Sequence, residues 1–289
     1  MSTTFTVSVV QSMSSDLDPD GTTKRCLELV DVAGERGSDL IVLPELWTGT
    51  ALSGTISPAS LADRAPAALE VLSEQAQRYG ATIIGSLFLR NEDGSHSNCA
   101  PVIGPSGDTL GYYHKTHLFD AVNRDDIQGI KESDKVNAGD ELPVFDTPLG
   151  PVGVTICSDL RFPEPYRVLA LRGARILVNC SAFLAPRTDH WEFMLRTRAT
   201  ENQTWVVASG QYGKEPVSGT GFVGRSMVVD PWGAVVASAS DRETVLTTEI
   251  DMSHIEDVRW QYPLLEQRRP GMYADVAAPV DESGALDRG

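Results

Sequence analysis

Short, nearly continuous apolar runs separated by helical stretches constrain this chain most. Asp39–Leu43 (DLIVL), Val152–Ile156 (VGVTI), Arg175–Cys180 (RILVNC) and Thr204–Ser209 (TWVVAS) lack the alternation of a half-exposed strand. Such runs read as strands of a sheet covered on both faces. Between them, Lys24–Arg36, Ala67–Tyr79, Pro163–Arg172 and His190–Asn202 carry helical spacing, and the first two stop at Gly37 and Gly80. Further strands are expected at Phe5–Val10, Ala81–Leu89, Gly224–Val229, Ala234–Ala237 and Val245–Ile250. A hairpin is expected from Asn98–Ile103 and Thr109–Tyr113 around the Gly-Pro-Ser-Gly turn at 104–107, and turns at Asn91–Gly94 and Asp230–Gly233. About ten strands and four or five helices make an α/β chain.

At 289 residues the chain is long enough to bury nearly three-quarters of its surface without staples. A formal charge of −16 argues against a nucleic-acid groove or an anionic membrane surface as the main partner. No apolar run reaches the roughly 18 residues of a membrane-spanning helix. The start, MSTTFTVSVVQS, lacks a basic region and reads as a first strand rather than a signal peptide. Cys26, Cys99, Cys157 and Cys180 match no zinc or redox spacing, so a cytoplasmic protein with reduced thiols is expected.

Three segments put an ionisable or nucleophilic residue just beyond a strand, where open α/β sheets hold ligands. In LIVLPELW, Glu45 follows an apolar strand beside Leu43, Leu46 and Trp47. Poor solvation there disfavours its charged form and suits a general base. In YYHKTHLFD, Lys115 offers a positive charge where an oxyanion develops. In VGVTICSDLRFPE, Cys157 stands between a strand and a helix opened by Pro163. A nearby lysine or helix N-terminus would favour its thiolate, and the backbone N–H of Ser158 would serve as an oxyanion donor. Taken singly, Glu45 fits an ion-pairing glutamate, Lys115 a solvated lysine and Cys157 a buried structural thiol equally well. His114 and His117 lack a third ligand or an HExxH frame, so hydrogen-bonding histidines are expected and no metal. Arg161 and Glu164 are expected to fix their loop by ion pairing.

Taken together, LPELW, HKTHLFD and CSDLRFPE, in that order, resemble the Glu-Lys-Cys motifs of the nitrilase (carbon–nitrogen hydrolase) superfamily. The resemblance runs from VVQS at the start through HWEFMLRTRATEN and MVVDPWG to RWQYPLLEQRRPGMY. It implies a four-layer αββα sandwich, a homodimer or larger assembly, and a second glutamate. In KESDKVNAGDELPVF the matching residue is Glu132, with the implied role of orienting Lys115 and the substrate. The RFPE continuation and SAF…HWE are more similar to the ω-amidase and deaminated-glutathione amidase branch. Ser158 and Arg225 depart from that branch, where an aromatic residue and a histidine are usual.

The expected activity is hydrolysis of a small linear, ω-amide-like carboxamide to acid and ammonia through a cysteine thioester. Glu45, Lys115, Glu132 and Cys157 are the expected catalytic residues, Ser158 meets the substrate, and no cofactor is needed. An N-carbamoyl hydrolase or a nitrilase would use the same residues. A non-enzymatic binding protein on this scaffold has no need of an acid, a base and a thiol together. Residues 1–273 are expected to form the hydrolase domain. Residues 274–289, small and polar, are expected to form a tail that is mobile or used in subunit contact.

Overall fold

The computed structural model describes residues 3–121 and 130–278, so the expected tail lies outside the described residues from position 279 onward. Fifteen strands and six α-helices are present among them. One sheet runs, in spatial order, Thr244–Asp251, Thr4–Gln11, Leu40–Val42, Thr82–Ile84, His96–Ile103 and Leu87–Arg90, with Thr109–His114 paired on His96–Ile103. The other runs Val235–Ser238, Met227–Val229, Trp205–Gly210, Ile176–Ser181, Gly150–Ile156 and Val144–Thr147. The central strands of each sheet are parallel.

The period-two rule of strands sorts the apolar residues into layers. Leu40 and Val42 join Val154, Val178 and Val207 in the core between the sheets. Ile41 and Leu43, on the opposite face, pack with Leu29, Val30, Leu72 and Ala76 of the helices Pro19–Glu35 and Ala65–Tyr79. The helices Pro163–Leu171 and Thr188–Asn202 cover the other sheet through Tyr166, Leu169, Trp191 and Leu195. Helix, sheet, sheet and helix are therefore stacked as an αββα sandwich.

Several boundaries differ from the sequence reading. The first helix starts at Pro19, because Asp18 caps it by accepting the Gly21 N–H. The expected strand 81–89 splits into Thr82–Ile84 and Leu87–Arg90. At the break, a Cβ on Gly85 would sit 2.5 Å from Leu43 Cβ. Ser86 spends its hydroxyl and carbonyl on the N–H groups of Leu46 and Trp47. The expected strand 224–229 shortens to Met227–Val229, since Gly224 and Arg225 both have positive φ. Four elements were not expected: the short helix Pro58–Ala62, Val144–Thr147, the ribbon of Tyr212–Lys214 with Gly221–Val223, and the helix Ser253–Gln261. No helix among the described residues is long and apolar enough to cross a membrane.

Candidate active site

The ends of strands from both sheets meet at one buried point. After Leu40–Val42 the chain turns through Leu46, whose φ of 52° lies in the left-handed region. That conformation costs a non-glycine residue about 1–3 kcal/mol and persists only where surroundings enforce it. Ser86 holds the turn from one side, and Gln211 Nε2 donates to the Glu45 carbonyl at 2.7 Å from the other. The Glu45 side chain is 3% exposed. Its Oε1 accepts from Lys115 Nζ and from Asn98 Nδ2, each at 2.8 Å, and its Oε2 accepts the Ala182 N–H at 2.7 Å. Three donors thus replace the water that burial removes.

Lys115 leaves the strand Thr109–His114 and is 2% exposed. Its ammonium also donates to Glu132 Oε2 at 2.8 Å. Glu132 is fixed in turn by the Phe119 N–H at 2.7 Å and by Asn98 Nδ2 at 3.2 Å. Asn98 therefore spans both carboxylates. Burial alone would push the Lys115 ammonium down; Glu132, and after it Glu45, outweigh burial and hold it well above the ordinary lysine range.

Cys157 follows the strand Gly150–Ile156 and opens the 3-10 turn Cys157–Arg161. Its φ is 44°, again left-handed, which lifts the thiol out of the strand's line. The fully buried Asp159 holds this turn to the lysine loop. Its Oδ2 accepts Ile156 N–H at 2.8 Å and Tyr113 OH at 2.7 Å. Its Oδ1 accepts His117 N–H at 3.0 Å and Thr116 Oγ1 at 3.1 Å. One correction to the sequence reading concerns the thiol. Burial first, and then the Glu45 charge, push it up, while Lys115 and Ser181 oppose them without prevailing. That direction favours the thiol over the thiolate.

Glu45, Lys115, Glu132 and Cys157 line one cavity whose walls include Leu52, Phe88, Phe119, Phe183 and Leu184. Ser158 lines it too, but its hydroxyl donates to the His117 carbonyl at 2.6 Å, leaving the backbone as its route to a ligand. Arg161 and Glu164 lie on different surfaces. Arg161 lines the cavity with its guanidinium 4.7 Å from the Phe183 ring, whereas Glu164 lines a separate groove with Arg167. Arg187 and Lys135 also face the cavity. Arg225 does not line it and pairs with Asp241 at 2.8 Å. His114 bonds Ser97 at 2.8 Å, and His117 lies 2.9 Å from Asp159 and stacks on Phe162. No group of three or more metal-ligating side chains is assembled among the described residues.

Sequence reasoning missed Asn98 and Asp159. Asn98 stands in an otherwise apolar strand (NCAPVI), and Asp159 two residues past the cysteine; each was a visible signal of a buried polar group needing partners.

The carbon-nitrogen hydrolase family model matches residues 6–260. An ω-amidase, NIT2-B of Xenopus laevis, is 35% identical over 274 residues, covering 93% of this chain and 96% of that protein. The ω-amidase NIT2 of Mus musculus is 34% identical over 275 residues, covering 93% and 97%. Among solved structures, a carbon-nitrogen hydrolase from Helicobacter pylori G27 superposes with a TM-score of 0.85 at 28% identity, over 94% of this chain and 98% of that one. The NitFhit protein of C. elegans gives a TM-score of 0.85 at 34% identity, over 95% and 67%.

Proposed function

The chain belongs to the carbon–nitrogen hydrolase family, and from that premise we propose that it is an amidase cleaving a small linear, ω-amide-like carboxamide to acid and ammonia. The observation that carries this reading is the buried contact of a thiol, an ammonium and two carboxylates at one cavity. Glu45 takes the Cys157 proton, and Sγ attacks the amide carbon. The carbonyl electrons move onto oxygen, where Lys115 and the Ser158 N–H stabilise them. Collapse breaks the C–N bond, and the nitrogen leaves as ammonia with the proton held by Glu45. A thioester remains on Cys157. Glu45 then draws a proton from water, which attacks the thioester and releases the acid and the thiol. Glu132 keeps Lys115 charged and aimed. The nucleophile, the acid–base group and the electrophile are all side chains, so no cofactor is called for.

Substrate choice draws support from the cavity's charges. Lys135 and Arg187 line it, while its two carboxylates are both engaged by Lys115. That balance suits an amide with an anionic far end, as do relatives named ω-amidases. Ammonia release across ω-amides of dicarboxylic acids, neutral short amides, nitriles and carbamoyl amino acids tests the reading. Highest kcat/KM on the acidic ω-amides is expected. Preference for a nitrile or a carbamoyl compound would overturn it.

The proposal extends to a cytoplasmic homo-oligomer with residues 1–273 as the hydrolase domain and 274–289 as a tail. Four free, buried cysteines suit a reducing compartment. Leu171, Tyr273 and Val276, all more than 40% exposed, line one groove and offer an apolar face to a second copy.

A further inference from the structure

Ser181 ends the strand Ile176–Ser181, which runs parallel to Gly150–Ile156 with Ile156 opposite Cys180. One residue on, Cys157 and Ser181 leave the two strands side by side. The backbone around Ser181 is pinned: its carbonyl accepts the Gln211 N–H at 2.9 Å, and the next N–H, of Ala182, is bonded to Glu45. Its side chain is fully buried, yet its hydroxyl makes no well-formed hydrogen bond among the described residues. Two residues back on the same strand face, the Asn179 amide donates away from Ser181. Asn179 Nδ2 donates to Thr155 Oγ1 at 3.0 Å and to Tyr166 OH at 3.1 Å. Beside the Ser181 hydroxyl, at the end of the neighbouring strand, stands the sulfur of Cys157, and the hydroxyl already opposes the upward shift of that thiol.

We propose that Ser181 is a hydrogen-bond donor to the Cys157 sulfur, one that engages fully when the sulfur becomes charged. A neutral thiol is a weak acceptor, so a buried hydroxyl gains little from it. A thiolate is a charged acceptor, and hydrogen bonds to ionised groups are about twice as strong as neutral ones. The bond therefore tightens as Glu45 removes the proton. It favours the attacking state over the resting state, which is the condition for an interaction to raise kcat. The same donor faces the sulfur again when the thioester breaks and the thiolate leaves.

The inference rests on Cys157 as nucleophile, so its test reads that sulfur independently of any amide. Iodoacetamide alkylation of Cys157, followed by peptide mass across pH, is compared for wild type, Ser181→Ala, Ser181→Thr and Ser181→Val. Thr and Val have the same shape and differ in the hydroxyl. The Ala and Val variants are expected to shift the profile to higher pH. At a fixed neutral pH they should alkylate on the order of tenfold more slowly, the worth of one hydrogen bond to a charged group. Thr should restore both, and kcat should follow with KM little changed. Val overlaying Thr in profile and rate, whatever happens to their melting temperatures, would overturn the proposal. Failure of the underlying reading shows differently: amide turnover surviving in Cys157→Ala overturns both.

Discussion

Lys115 is held between two carboxylates, and their surroundings divide the work between them. Glu45 lies 2.8 Å from the ammonium and also bears on the thiol, so the proposed mechanism gives it the proton exchange. Glu132 is anchored by Phe119 and Asn98, and in the proposed mechanism it holds Lys115 in place. Glu132→Gln keeps the shape and removes the charge that counts most for Lys115. Its kcat is expected to fall on the order of 10²-fold or more, as when an oxyanion stabiliser is lost. Cys157 should remain alkylatable. A fall of less than about threefold, well short of that range, would reduce Glu132 to a loop residue. Glu45, Lys115 and Cys157 were legible as candidates because each follows a strand in a short, unusual word. The state of the thiol was not, because it depends on how far burial and Glu45 outweigh Lys115, and only packing sets that balance. Asp159 was visible beside the cysteine, but its partners Tyr113 and His117 were not legible, since they lie some 40 residues away in sequence.

The elements that matter most to the site are the shortest ones. Leu40–Val42 and Thr82–Ile84 are three residues each, and both were visible as apolar runs. The break after Ile84 was not, because Leu-Phe-Leu continues the apolar run and nothing local announces the Glu45 turn pressing on Gly85. The ribbon of Tyr212–Lys214 with Gly221–Val223 was missed because each strand is only three residues long, too short to show a period, and Tyr212–Lys214 is largely exposed. Gly85→Ala tests the break. Its Cβ would meet Leu43, two residues before Glu45, at a distance no real contact tolerates. Overpacking of this kind costs about 1–3 kcal/mol. A lower melting temperature by calorimetry is expected, with a kcat loss larger than the stability loss explains. An unchanged melting temperature would mean that the turn yields freely.

At the scale of the whole molecule, the sandwich was legible from the apolar runs and the family resemblance together. The cavity was not, because it draws on both sheets and on the segment around Glu132. Assembly belongs to this scale as well. Leu171 is 49% exposed at the end of its helix and shares a groove with Tyr273 and Val276. Leu171→Glu places a charge on that face, far from the thiol. Sedimentation equilibrium is expected to show a dimer or larger species for the wild type and a shift toward monomer for the variant. A wild type that is monomeric at micromolar concentration would exclude the proposed assembly.

The central claim joins the two sheets: one supplies Glu45 and Lys115, the other Cys157, and the reaction passes through that sulfur. Ammonia release by Cys157→Ala, on the amide that the wild type turns over best, tests it most directly. No turnover above background is expected, with the melting temperature and substrate binding largely kept, since removing the nucleophile removes the covalent route. Ammonia release by Cys157→Ala at a rate near the wild type's would contradict it.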